Sequence, residues 1–190
     1  MKRKIAGSLL ALLICLGSAT ADEGIDKLCR ELLNSLAADD PVAYAQCYTT
    51  YRQTEQRWSK VEPPLPEHEM KRLLGKLRER NTTIRHSFRI MREQIADPKA
   101  KIEFVSAEAE VNTKTFMGVV ITGTTDLVCR FRVNDEEWIL DLDDAILLDG
   151  HWFITDDPAS LETPANKINF RPSGKDKYGR IIYGRVTEKN

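Results

Sequence analysis

With three histidines and four cysteines in 190 residues, few places in this sequence could do chemistry. His68-Glu69 opens like a zinc-protease helix, whose second histidine falls at the fifth position, but that position is Arg72. His86 and His151 stand apart from any spacing that would make them ligands. Asp141-Leu142-Asp143-Asp144 has the oxygen density of a calcium loop. Such a loop needs glycine sixth and glutamate twelfth, and here those places hold Ile146 and Trp152. Gly174-Lys175 lacks the upstream glycine of a phosphate-binding loop, and Asp176 replaces its hydroxyl residue. No nucleophile elbow or dinucleotide glycine pattern occurs. Asn81-Thr82-Thr83 is a glycosylation sequon, relevant only to a eukaryotic source. These residues therefore assign no catalytic group, metal or cofactor.

Two stripes suit binding better. Tyr44, Tyr48, Tyr51 and Trp58 recur at helical spacing and could line a pocket for a small apolar ligand, or simply pack in the core with hydrogen-bonded tips. Lys71, Arg78, Arg85 and Arg92 repeat every seven residues, with Arg89 beside them. Such a row could hold an anionic envelope partner, or be an ordinary solvated helix face.

The elements that must position these groups follow from periodicity. Ile25, Leu28, Cys29, Leu32 and Leu36 predict a helix over about 25–37. Asp40-Pro41 predicts an N-cap and first helical residue, with a second helix reaching about Trp58. A short turn makes the two antiparallel neighbours. Cys29 and Cys47 then lie at matching distances from it on apolar faces, which predicts a Cys29–Cys47 disulfide; the alternative is two buried free thiols. Glu62-Pro63-Pro64-Leu65-Pro66 precedes a third helical pattern running to Ile95, either continuous or broken near Asn81-Thr82-Thr83, and stopped by Asp97-Pro98.

Strands follow. Glu103–Val111 and Phe116–Thr122 are candidates, and Leu127, Cys129, Phe131 and Val133 alternate with polar or outward residues. Asn134-Asp135 predicts a hairpin into Trp138, Leu140 and Leu142, and Asp149-Gly150 another into Trp152-Phe153-Ile154. Cys129 is expected in the core as a small hydrophobe. Residues 158–190 read as an extended tail that could add an edge strand.

At the other end, Lys2, Arg3 and Lys4, the apolar run Ile5–Leu16, and Ala19-Thr20-Ala21 have the form of a signal peptide over residues 1–21. The run is too short for a transmembrane helix, and bulky Ile14 before Cys15 disfavours lipidation. The chain is accordingly expected in the periplasm or secreted. The precursor has 28 basic and 29 acidic residues; cleavage would remove three basic ones and leave a net charge of −4. That balance gives no drive toward nucleic acid.

Helices first and antiparallel strands after them define an α+β class, with helices packed on one face of a curved sheet as in a cystatin-like cone. Leu33-Asn34-Ser35-Leu36-Ala37-Ala38-Asp39-Asp40 and Asp149-Gly150-His151-Trp152-Phe153-Ile154 resemble the first helix and closing hairpin of the nuclear transport factor 2-like superfamily. The resemblance covers roughly 25–157. It implies a cone of three helices wrapped by a bent sheet, in a superfamily that holds isomerases, dehydratases, polyketide cyclases and non-enzymatic modules. Its enzymes put acids, bases or histidines inside the cone. Here the inward strand positions are apolar, Asp141 and Asp143 alternate outward, and no carboxylate is assigned to the cavity. The leading expectation is an exported, non-catalytic domain binding a small ligand or an envelope partner. The alternatives are a cone-cavity enzyme and a structural subunit, the latter forming a homodimer through its outer sheet face.

Overall fold

The structure, a computed structural model, describes residues 23–116, 118–170, 172–175, 177, 181–183 and 186–188. The side chains of residues 78, 79 and 116, and those of the last three strands apart from Gly174, are outside that set. So is the expected leader, residues 1–21.

Helix α1 spans 23–37 and buries Ile25, Leu28, Cys29, Leu32 and Leu36, the apolar stripe expected of it, and Leu33 besides. It turns at Asp39, which adopts a left-handed φ of 54°. Asp40 then caps α2 (Pro41–Gln46) as predicted, its carboxylate accepting from the Val42 and Ala43 amides at 2.9 and 3.0 Å. The second helix does not run on to Trp58. Cys47 O accepts from Ile154 N, and Thr49 N donates to Ile154 O, so the chain at 47–49 is committed to pairing with a strand. Thr50 restarts the helix through a reciprocal capping box with Gln53, giving α3 (Tyr51–Trp58). Helix α4 (Glu67–Ile95) is continuous through Asn81-Thr82-Thr83. Thr83 and Ile84 are buried there, so packing outweighs the weak local propensity.

Among the described residues ten strands follow: β1 (Ile102–Phe116), β2 (Val119–Val133), β3 (Glu136–Asp143), β4 (Ala145–Leu148), β5 (His151–Ile154), β6 (Ser160–Glu162), β7 (Asn166–Asn169), β8 (Pro172–Lys175), β9 (Ile181–Tyr183) and β10 (Val186–Glu188). Eight form one antiparallel sheet in the order β10-β7-β6-β3-β2-β4-β5, with β1 along the other edge of β2; β8 and β9 form a separate pair. The long β2 is the spine. It changes partner from β3 to β4 near a register break at Leu127/Val128, and two further breaks interrupt its ladder with β1. Such bulges bend a strand and increase its twist, so the sheet curls around the helices. The molecule is an α+β fold, with N-terminal helices packed against a strongly curled antiparallel sheet.

Both predicted hairpins are present, with left-handed φ at Asn134, Asp135, Asp149 and Gly150. Leu127, Cys129, Phe131, Val133, Trp138, Leu140 and Leu142 all face the core. The segment read as an extended tail that could add an edge strand supplies several strands at one edge of the sheet. Strand β6 pairs with β3, β7 with β6 and β10 with β7, while Leu161, Ile168 and Phe170 are buried beside the helical core. Short strands separated by Thr163-Pro164-Ala165 carry too little periodicity to announce this.

The expected Cys29–Cys47 bond is absent; Cys29, Cys47 and Cys129 are free and buried. Because α2 ends early, Cys47 becomes its C-cap, and the thiol turns back toward Ala43 O at 3.7 Å. Cys29 instead meets Cys129 between α1 and β2. Its hydrogen bond with the Cys129 thiol, then burial, push the Cys29 thiol well up. Burial raises Cys47 to about 12. Cys29 and Cys47 are therefore poor nucleophiles at neutral pH.

Two measurements check this packing. Phe170→Ala should cost about 3–5 kcal/mol in denaturant unfolding, as for other fully buried aromatics; a cost near zero would place Phe170 outside the core. Alkylation with peptide mapping should find Cys29, Cys47 and Cys129 protected in the native protein and all alkylated once it is unfolded without reductant.

Candidate functional site

A cleft of about 680 Å³ opens between the helices and the sheet. Its helical wall comes from α3 and α4. Positions 73, 76, 77 and 80 lie on one face of α4 and present Leu73, Lys76, Leu77 and Arg80 to it, while α3 contributes Arg57 and Trp58. The opposite wall is built from β1, β2 and β4 together with the β3–β4 and β5–β6 connections, and includes Lys114, Ile121, Ile146, Asp144, Asp156 and Asp157.

Arg80, on the helical wall, is only 4 % exposed. Its Nη1 donates to Thr49 Oγ1 at 2.9 Å and to Thr155 O at 2.5 Å, and its Nη2 donates to Thr49 O. Its Nε–H has no acceptor. Burial lowers the pKa of the guanidinium, while Asp157, Tyr48 and Asp156 oppose the shift. Thr155 in turn donates through both its amide and its hydroxyl to Asp144 O, at 2.9 and 3.2 Å. The clamp that holds Thr155 thus places Asp144 and Asp156 on either side of it.

The carboxylates of the cleft all lie on the strand wall, with Lys114 among them, and the other cations lie on the helical wall. Arg57 lies over the Trp58 ring, 5.3 Å from its centroid, and desolvation lowers its pKa. Among the described residues no carboxylate lies within ion-pairing distance of Arg57, Lys76 or Lys114; the recorded ion pairs lie elsewhere. On the strand side, burial raises Asp144, helped by the nearby Asp156 and Asp126 carboxylates and opposed by Lys114.

The expected aromatic stripe is divided by this geometry. Trp58 lines the cleft. Tyr44 and Tyr48 are sealed in the core: their hydroxyls are 3.1 Å apart, and Tyr44 also bonds Ser87 Oγ at 3.2 Å. Tyr51 points to solvent, 43 % exposed. The break between α2 and α3 causes the division, since four residues on one continuous helix would have shared a face.

The basic row is divided too. Lys71 pairs with Glu67, and Arg89 with Glu93, both on the exposed surface. Arg92 donates to Leu36 O and pairs with Asp39, fastening the end of α1 to α4. Arg85 is exposed, and the side chain of Arg78 lies outside the described residues. The cleft carboxylates Asp144, Asp156 and Asp157 went unassigned in the sequence because they follow strand ends, where alternation no longer tells the facing. Arg80 was hidden among the many arginines of α4. Its spacing from Leu73 and Leu77 was the available signal.

No three metal-ligating side chains cluster among the described residues. No helix among them is long and apolar enough to cross a membrane. No family model, characterised protein or solved structure matches the chain.

Asp144 gives a pH test. Its carboxyl binds a proton more readily in the folded chain, so its ionised form opposes folding at neutral pH, and that cost is lost as pH falls through its raised folded pKa toward the ordinary aspartate value near ~3.9. Asp144→Asn should raise the melting temperature at pH 7, and the gain over wild type should close as the pH is lowered through the acid range. A gain independent of pH would mean that the carboxylate charge is not its source.

Proposed function

We propose that this chain is an exported, non-catalytic binding domain of the nuclear transport factor 2-like type, and that it takes a small ligand in the cleft between α3, α4 and the sheet. The carrying observation is the cleft itself: its volume lies within the ~300–1,000 Å³ range of small-molecule sites, and convergent polar groups stand among apolar ones. Trp58, Leu73, Leu77 and Ile146 supply apolar contact; Arg57 and Lys76 supply donors. The signal-like leader supports action in the periplasm or outside the cell.

The enzyme alternative has one observation in its favour. Asp144 lines the cleft with its proton affinity raised, the property wanted in a group that transfers protons in isomerase or dehydratase chemistry.

Native mass spectrometry of the mature protein, purified from its own secretory compartment, tests the binding reading. A non-covalent adduct of small-molecule mass is expected, lost on Trp58→Ala with the fold intact by circular dichroism. An adduct that survives Trp58→Ala unchanged would remove the ligand from this cleft. A foreign subunit instead of a small adduct would favour assembly.

A further inference from the structure

The charges of the cleft allow the ligand class to be narrowed, an inference that rests on the binding reading above. On the helical wall, Arg57 is half-buried against Trp58, and Lys76 stands one turn from Arg80; among the described residues neither has a carboxylate partner. Beneath them the buried Arg80 keeps its Nε–H unpaired. On the facing wall, Asp144 and Asp156 flank Thr155, with Lys114 near Asp144 and the committed Arg80 near Asp156.

Neither half of this arrangement suits a ligand of single charge. A simple anion drawn to Arg57 would lie in the field of Asp144 and Asp156, and a simple cation drawn to the aspartates would lie in that of Arg57 and Lys76. Like charges brought together in a partly dry site are costly, and a charge left unpaired there costs more than the pair returns. A molecule carrying both charges, with an apolar middle against Trp58, Leu77 and Ile146, satisfies both walls together. We propose that the cleft is built for a small zwitterion, its carboxylate held by Arg57 and Lys76 and its ammonium end by Asp144 and Asp156. Discrimination comes from the spacing of the two ends, since only a body of matching length reaches both walls.

Isothermal titration of the mature protein with straight-chain ω-amino acids of increasing length tests this, run beside the carboxylic acids and alkylamines of the same lengths. The expected result is an optimum length at which the amino acid binds at least about tenfold tighter than either singly charged analogue. Arg57→Gln should bring the amino acid down to the level of the amine, and Asp144→Asn down to the level of the acid, with both variants folded. Acids binding as well as the amino acids at every length, or no binding in any of the three series, overturns the zwitterion assignment. The Trp58-dependent adduct in native mass spectrometry is read independently of these probes. If it persists, the cleft still binds a ligand and only its class is wrong; if it is absent as well, the binding reading falls too.

Discussion

One guanidinium holds three parts of the fold in register. Arg80, in the middle of a 29-residue helix, reaches Thr49 at the break between α2 and α3 and Thr155 at the end of β5. Burying a cation costs several kcal/mol unless its donors are met, and here two carbonyls and a hydroxyl meet most of them. Those acceptors are available because the chain at 47–49 leaves helical pairing to lie against Ile154. The break in the helix and the buried arginine therefore depend on each other. A helix continuous from Pro41 to Trp58 would have kept Thr49 O for its own ladder and left the guanidinium without its acceptors.

The same clamp shapes the cleft. With Thr155 fixed, Asp144 and Asp156 are held on one wall; with α3 restarted at Thr50, Arg57 and Trp58 swing onto the other. The aromatic residues before the break go a different way. Tyr44 and Tyr48 turn inward to a closed hydroxyl chain ending at Ser87 and Ile84 O, and Phe88 packs against the Tyr44 ring. A short stretch of chain thus serves both the dry core and the polar cleft, with a four-residue irregularity as the divider. At the other end of the cone, Arg92 performs a smaller version of the same task by capping α1 at Leu36 O.

Much of the architecture could be read along the chain, for reasons that differ by element. The α1 stripe, the Asp40-Pro41 start and the two hairpins are local: their signals lie within a few residues and nothing distant competes with them. The inward faces of β2 and β3 are equally local, because strict alternation over seven residues admits one phase. The site was far less readable. Of the four aromatic residues expected to line a pocket, only Trp58 lines this cleft, and the carboxylates lining it sit just past strand ends, where facing depends on how the chain turns. Cys29 and Cys47 show the same limit: matching distances from a turn imply contact only while both helices continue straight, and α2 does not.

By itself the sequence determined the class of the fold, the order of its elements, the buried faces of its long strands and the position of its tight turns. Each of these is set by side-chain periodicity or by a backbone conformation that only certain residues tolerate. The tertiary structure alone decided where α2 stops, which thiol Cys29 meets, that Leu161, Ile168 and Phe170 complete the core, and that four cations and three carboxylates share one cleft. The physical reason is common to all of these. Each depends on a partner brought near by the curl of the sheet, and a backbone group or a charge chooses between alternatives only when that partner is within reach.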